Sequence, residues 1–347
     1  METDPPFDEW LQGRGPEEDV VYCTRVRLAR NLEEFAFSPC QSAEEAGLVT
    51  QTIERALSPL AKKREWTWVD LRRTEPLDSL VLVERHLISR ELETGSKARG
   101  VFHDEQGRIG LMVNEEDHIR LQVFRSGLRV EETWEEADLI DDAISEVLPL
   151  AWSRDFGYLT SCPTNTGTGL RISVLLHLPA LVLAKEIEKA TSAIHEMGMA
   201  VRGLFGEGSR SVGDLFQVSN QRTLGPTEEE IGQRLRSAVT QLIQWERRQR
   251  EEFLRNPILV EDRAYRALGI LERARYLTSE ETVDLISRLR LGRLLGLIEH
   301  PDLPALNRIF LLTQPGHLQK RVGRELMPQE RDILRAEMIR RTLSPSS

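Results

Sequence analysis

Lysine is nearly missing from this chain: of its 46 basic residues, 40 are arginine and six are lysine. A guanidinium forms paired, planar hydrogen bonds to phosphate or carboxylate, whereas an ammonium is a point charge. A bias in genomic base composition would raise the arginine count too, so the placement of individual arginines carries the argument. Cysteine is also scarce. Cys23, Cys40 and Cys162 are the only three in 347 residues, too few and oddly numbered for a disulfide framework, which predicts reduced thiols and a cytoplasmic location. No two cysteines have metal-ligand spacing, so no protein-held metal site is expected. No apolar run approaches the roughly 20 residues that a membrane-spanning helix needs. The acidic start, Met1 to Pro6, lacks the apolar stretch of a secretory signal. A net charge of −10, from 46 basic and 56 acidic residues, argues against nucleic acid as the main partner. There is no G-x-x-x-x-G-K-[ST] sequence, and the lone D-F-G, Asp155-Phe156-Gly157, has no H-R-D with it, so the protein-kinase set is absent.

Three segments are expected. Residues 1–19 form a polar leader rich in proline and glycine. Residues 20–255 alternate strand and helix patterns. Residues 256–347 follow Pro257 and read as short helices without a strand. In the middle segment the strand signals come in hairpin-like succession: 101–103 and 109–113 flank Asp104-Glu105-Gln106-Gly107, and 120–124 follows closely. Further strands are expected at 20–22, 79–83, 155–160 and 199–204. Helices are expected over 43–58, from a capping box at Thr133 and Glu136, from Pro179 through a stripe ending at Met197, and from a second capping box at Thr227 and Glu230. A further cap at Thr278 and a start at Pro328 belong to the last segment. Hairpin order predicts an α+β fold, an antiparallel sheet flanked by helices, followed by a small all-α domain.

Five clusters carry chemistry. Arg25 and Arg27 sit two apart on a strand and face the same way. His86 follows an apolar run. Asn114-Glu115-Glu116-Asp117-His118 precedes Arg120. Thr160 to Arg171 holds Cys162, Asn165, Gly167 and Gly169, where glycines would let backbone amides approach an anion. Arg202 opens the run Gly203-Leu204-Phe205-Gly206-Glu207-Gly208. Singly, each has an ordinary explanation: a solvated arginine face, a structural histidine, an acidic helix start, a small buried thiol, a flexible loop. Together they suit phosphoryl transfer, which needs cations around a phosphate chain, a carboxylate to orient and deprotonate the nucleophile, and a loop that excludes water. Adjacent carboxylates suit a guanidinium nucleophile, because they hold it in plane and accept its proton.

The strings Cys162-Pro163-Thr164-Asn165-x-Gly167-Thr168-Gly169, Arg25-Val26-Arg27-Leu28-Ala29-Arg30-Asn31 and Val113-Asn114-Glu115-Glu116-Asp117-His118-x-Arg120 resemble the ATP:guanido phosphotransferases, the family of creatine and arginine kinases. The resemblance covers residues 20–250 and implies a glutamine-synthetase-like phosphagen kinase catalytic domain. Three features favour the family's bacterial protein-arginine kinase branch. The Arg25 motif lies so near the start that the usual preceding helical domain is missing. A helical segment follows the catalytic one. Arg331-Asp332-Ile333-Leu334-Arg335-Ala336 matches a motif that in that branch binds phosphoarginine allosterically. Arg331 and Arg335 would lie one helical turn apart and grip one phosphoryl group.

The resemblance implies roles residue by residue. Cys23, Thr24, Arg25, Val26 and Arg27, with His86, Arg120, Arg171, Ile172, Ser173, Val174 and Leu175, would hold ATP. So would Arg202, Gly203, Leu204, Phe205, Gly206 and Glu207. Mg2+ would bridge ATP phosphates through water and phosphate oxygens. Glu116, with Glu115 beside it, would bind the acceptor guanidinium and act as base, Glu207 would assist, and Cys162 would be a reactive thiol close to the acceptor. Two positions depart from the family. The loop Gly206-Glu207-Gly208-Ser209-Arg210 has arginine where the family's second substrate glutamate stands, and Phe205 replaces an arginine. The implied activity is ATP-dependent phosphorylation of arginine side chains in proteins, marking targets for Clp-type proteolysis and inactivating a heat-shock repressor. A homodimer and an activator protein are implied as well. A kinase for a free guanidino metabolite and a non-catalytic phosphoarginine-binding adaptor are the alternatives.

Overall fold

The computed structural model describes residues 8–203 and 212–343. Eight strands form one sheet: β1 (Val21–Arg30), β2 (Thr67–Asp70), β3 (Gly100–His103), β4 (Ile109–Val113), β5 (Ile119–Ser126), β8 (Leu170–His177), β9 (Met199–Gly203) and β10 (Leu215–Asn220). Their order is β2-β3-β4-β5-β1-β8-β10-β9, and every pairing is antiparallel. A separate two-stranded ribbon joins β6 (Trp152–Ser153) to β7 (Gly157–Tyr158).

Strand alternation divides the sheet into an apolar and a polar face. Val26 and Leu28 of β1, Leu121 and Val123 of β5, and Ile172 and Val174 of β8 are buried on one face. Helices α1 (Ala43–Lys63), α4 (Val130–Ser145), α6 (Ile187–Glu196) and α7 (Glu228–Arg255) cover it. Their stripes Val49-Ile53-Leu57, Ala137-Ile140-Ile144, Ala190-Ile194 and Ile231-Leu235-Ala238-Leu242 complete a single core. The capping box at Thr227 and Glu230 starts α7 as expected.

The last segment is all helix: α8 (Ile258–Arg273), α9 (Ser279–Leu294), α10 (Leu303–Leu312), α11 (Pro315–Val322) and α12 (Pro328–Leu343). It packs on the polar face, at one end of the central strands. There Cys23, Phe124 and Leu175 share a cluster with Leu285, Leu289, Phe310 and Ile339. The leader joins them: a 3-10 turn, Glu9–Leu11, places Trp10 and Leu11 in this same cluster.

Several sequence expectations are corrected. Residues 79–83 are not a strand but the body of α2 (Pro76–Glu84). Pro76 sits at its first turn, where a missing N–H costs nothing, and Ser79, Leu82 and Val83 are buried at helical spacing. The helix α4 begins at Val130, so Thr133 lies inside it, buried and bonded to the Arg129 carbonyl, while Glu136 pairs with Arg125 instead of closing a capping box. The stripe from Pro179 breaks into α5 (Pro179–Leu183) and α6, because Lys185 takes a left-handed conformation at φ 60°. The strand expected at 155–160 shrinks to the two residues of β7.

One buried ion pair ties sheet to helix. Arg30 of β1 donates from Nε to Asp141 Oδ1 at 3.0 Å and from Nη2 to Oδ2 at 2.7 Å, and its guanidinium lies 3.5 Å from the centre of the Tyr158 ring. Removing one partner strands the other charge out of water. Asp141→Ala is therefore expected to lower the unfolding free energy by about 3–5 kcal/mol, read from urea denaturation, and Asp141→Asn by less.

Candidate active site

The polar face of the sheet is built by the same alternation that fills the core. Arg25 and Arg27 of β1, Arg120 and Gln122 of β5, Arg171 and Ser173 of β8, Gln217 of β10 and Arg202 of β9 all project from it. Register makes them neighbours: Arg27 stands opposite Arg171 on one side and Gln122 on the other, Arg25 opposite Ser173, and Arg202 opposite Gln217. All of them except the buried Ser173 line a cavity of about 1130 Å3 that also holds His86, Glu115, Glu116 and Gly203. All five arginines expected to handle phosphate thus meet in one place.

Like charges directly opposite on neighbouring strands are destabilising. The chain answers with partial compensation. Arg25 donates to Gln217 Oε1 at 2.9 Å and to Ser173 Oγ at 3.4 Å, with its guanidinium 5.6 Å from the Phe124 ring centre. Arg171 donates to Ser219 Oγ at 3.0 Å. Arg120 is paired with Glu115. Arg27 Nε is buried with no hydrogen-bond partner among the described residues. Burial draws Arg25 down to about 10, helped by Arg120 and Arg171, and takes Arg27 well below the ordinary arginine range, helped by Arg25. Each guanidinium here gains from an anion that spans several of them. His86 holds a left-handed backbone at φ 59°, and burial followed by Arg25 lowers it to about 4. It is a neutral ring at pH 7.

The two adjacent glutamates are pushed in opposite directions. Burial would raise Glu115, but the charge of Arg120, the amide of Glu116 and the Arg120 hydrogen bond together hold it below the ordinary glutamate value. Glu116 is raised, first by burial and then by the charge of Asp117. Divergent environments for paired carboxylates separate a fixed anion from a proton acceptor. Asn165 donates to Glu116 Oε2 at 3.2 Å, which brings the 160s loop beside the carboxylate. Asp117 pins that loop: its Oδ1 accepts from Ser161 N and from Asn31 Nδ2, each at 2.7 Å.

Not every expected residue reaches the cavity. Val26, Ile172 and Val174 point into the core, Cys23 and Leu175 join the helical cluster, and the Thr24 hydroxyl donates to the Gly127 carbonyl at 2.8 Å. Alternation gives the cavity only every second side chain of each run. Burial pushes the Cys23 thiol up to about 12. Cys162 does not line the cavity; its Sγ lies 3.0 Å from Thr164 Oγ1 on the loop that Asn165 ties to Glu116. The motif glycines serve chain packing, not an anion cradle. A Cβ on Gly167 would stand 2.3 Å from the Thr223 carbonyl oxygen, and one on Gly169 2.7 Å from that of Ala29. Leu204, Phe205, Gly206 and Glu207 lie outside the described residues. Gln122 and Gln217 were missed, although two-residue spacing from Arg120 exposes the first. Phe310 and Gln314, from the helical segment, had no signal at all.

In α12, Arg331 and Arg335 are one turn apart but are not held out together. Arg335 is buried, donating to the Thr313 carbonyl at 2.9 Å and the Leu277 carbonyl at 2.7 Å and pairing with Asp332. Arg331 is half-buried and donates to the Leu326 carbonyl at 3.2 Å. Ile333 is exposed, Leu334 is half-buried, and Ala336 is in the core.

Known proteins show the family and the fold. Residues 48–249 match the model for the ATP:guanido phosphotransferase C-terminal catalytic domain, and residues 257–347 match that for the protein-arginine kinase McsB C-terminal domain. The chain belongs to the ATP:guanido phosphotransferase family. Among its relatives, the protein-arginine kinase of Bacillus pumilus (strain SAFR-032) is 45% identical over 340 residues, covering 97% of this chain and 93% of that one. That of Bacillus subtilis (strain 168) is 44% identical with the same coverage. Among solved structures, lombricine kinase superposes with a TM-score of 0.60 at 26% identity, over 71% of this chain and 72% of that one. The duplicated taurocyamine kinase from Schistosoma mansoni with bound transition-state analogue components gives 0.61 at 28%, over 71% and 35%.

An anion spanning the guanidinium groups stabilises the folded state by mass action. ADP at a hundred times its Kd is expected to add about 2.7 kcal/mol, seen as a rise in Tm. In Arg27→Ala that rise should largely disappear while the Tm of the empty protein changes little. An unchanged ADP response would remove Arg27 from the site.

Proposed function

We propose that this chain transfers the γ-phosphoryl group of ATP to the guanidinium of arginine side chains in proteins. The observation that carries the reading is the joining, in one cavity, of five converging arginines with a carboxylate pair split between anchor and base. Relatives aligned over nearly the whole chain, and named for this activity, support it.

In this reading Arg25, Arg27, Arg120, Arg171 and Arg202 hold the triphosphate and neutralise charge on the transferring group. Neutral His86 lies beside Arg25 without adding charge. Glu115 fixes Arg120. Glu116 orients the acceptor guanidinium and takes one proton as nitrogen attacks the γ-phosphorus. The N–P bond forms, the bond to the β,γ-bridging oxygen breaks, and its electron pair leaves with ADP. No group of three or more metal-ligating side chains occurs among the described residues. The arginine-rich donor set fits a Mg2+ that arrives on the nucleotide, held by phosphate oxygens and water, where it would neutralise phosphate charge. Cys162, carried by the loop that Asn165 ties to Glu116, would stand near the acceptor, and Glu207 would assist.

The finer expectations follow from the same reading. Phosphorylation reverses the charge of a target arginine and would release a repressor from its anionic partner. Phosphoarginine on proteins would mark them for a Clp-type protease. Phosphoarginine binding at the Arg331–Ala336 motif would regulate the kinase, an activator protein would assist it, and the enzyme would act in the cytoplasm as a homodimer.

Incubation with ATP and a denatured protein should yield acid-labile phosphate on arginine by mass spectrometry. Phosphate appearing on free arginine alone would sink the reading. Because Glu116 is raised, it is protonated at higher pH than an ordinary glutamate. Activity should therefore fall on acidification before the usual carboxylate range is reached, as a limb in kcat/KM. Glu116→Gln should cost about 10²- to 10⁴-fold in kcat.

A further inference from the structure

Three consecutive residues at the C-terminal end of α2, Glu84 to His86, each hold a different part of the molecule. Glu84 is buried against the start of α11: Oε1 accepts from Gly316 N at 2.6 Å, and Oε2 accepts from His317 N at 2.9 Å and lies 2.7 Å from His317 Nδ1. Arg85 is tied to buried Asp8 of the leader by a hydrogen bond of 2.6 Å and to the Glu105 carbonyl at 2.8 Å. His86 lines the cavity and packs edge-on to Trp10 at 5.1 Å between ring centres. Glu84 itself lines the same cavity, as do Phe310 and Gln314 from the α10–α11 corner. That corner is held from its other side by Arg335, whose Nε bonds the Thr313 carbonyl.

A carboxylate that accepts two consecutive amides at a helix start, plus an imidazole, is oriented in all directions. Its backbone then has little freedom, and His86 stands two residues further on in a left-handed conformation that is uncommon outside glycine and asparagine. We propose that Glu84 is a positioning residue that links the helical segment to the nucleotide cavity. The position of α11 sets the turn that carries His86, and occupation of the cavity in turn stabilises α11. This rests on the reading of the cavity as the nucleotide site. By linkage the coupling is reciprocal, so it has two independent readouts.

Both are taken on the full chain with ADP as the probe. Calorimetry on the wild type first tests the underlying reading; no ADP binding there removes that reading and this inference with it. Given binding, ADP should slow hydrogen exchange of the Gly316 and His317 amides, which lie on the helical segment. Glu84→Ala should weaken ADP about 5- to 20-fold and abolish that protection. Should Glu84→Ala fail to fold, Gly316→Ala decides. Its added Cβ would stand 2.8 Å from Glu84 Oε2 and 2.9 Å from Leu80 Cγ, which displaces the carboxylate without removing it. Lys320→Ala breaks the exposed Lys320–Asp78 pair across the same two helices and should leave ADP affinity unchanged. Wild-type-like ADP affinity, within twofold, in the folded Glu84 or Gly316 variant overturns the proposal. So does exchange at α11 that ADP does not alter in the wild type, or an equal loss of affinity in Lys320→Ala.

Discussion

Arg27 and Arg171 face each other across adjacent strands, with Arg25 and Arg120 close by on the same side of the sheet. No chain assembles such a group for its own stability, because burial and mutual repulsion both oppose it. Burial lowers the Arg25 and Arg27 pKa values, and the neighbouring guanidinium groups lower them further. The surrounding architecture makes this arrangement tolerable. The apolar face of the same strands is packed by four helices, and register is fixed because a one-residue slip would put Val26 and Leu28 into the cavity. The core therefore dictates where the arginines stand, and the arginines give the cavity its positive charge.

Much of this was legible in the sequence because period-two alternation is a local rule. Arg25 and Arg27 fall on one face whatever the strand pairs with, and the hairpin around Gly107 signals itself by composition. Alternation also limits the family-derived runs, since Val26, Ile172 and Val174 cannot share a face with the arginines between them. Residues 79–83 misled because an apolar, partly β-branched run fits a strand and a buried helix equally, and only the tertiary setting of Pro76 and Leu82 decides. Phe310 and Gln314 were invisible for a different reason. They reach the cavity through packing of a segment far away in sequence, and no local pattern encodes such a contact.

Glu115 and Glu116 show how one dipeptide yields two chemical roles. The backbone turn at Asn114, with φ 58°, lets consecutive side chains diverge. One meets Arg120 and stays charged; the other is desolvated beside Asp117, where its charge is disfavoured, and the Asn165 hydrogen bond offsets this only in part. Residue type and spacing name both carboxylates without ranking them; the preference for Glu116 comes from the family resemblance, and its physical ground is that Arg120 pairs with Glu115 alone of the two. The same applies to the pair in α12. Identical residues one turn apart end as a buried tie, Arg335, and a half-buried group, Arg331.

The leader and the helical segment converge on the sheet's polar face, and this convergence changes how the domain boundary should be understood. Trp10 and Leu11 precede the first strand, yet they are buried with Phe310 and Ile339 from the last segment. Arg290 of α9 donates to the Glu18 carbonyl, and Asn307 of α10 donates to that of Leu11. The leader thus acts as a strap between the helices and the strands that bear Arg25 and Phe124. Composition marks a break near Pro257, but packing does not, because the two sides share a hydrophobic cluster and one cavity wall. A helical segment bound in this way cannot shift without moving groups that line the arginine-rich cavity. That mechanical continuity, independent of any particular ligand, makes the helical segment a natural place from which to govern the chemistry of the sheet.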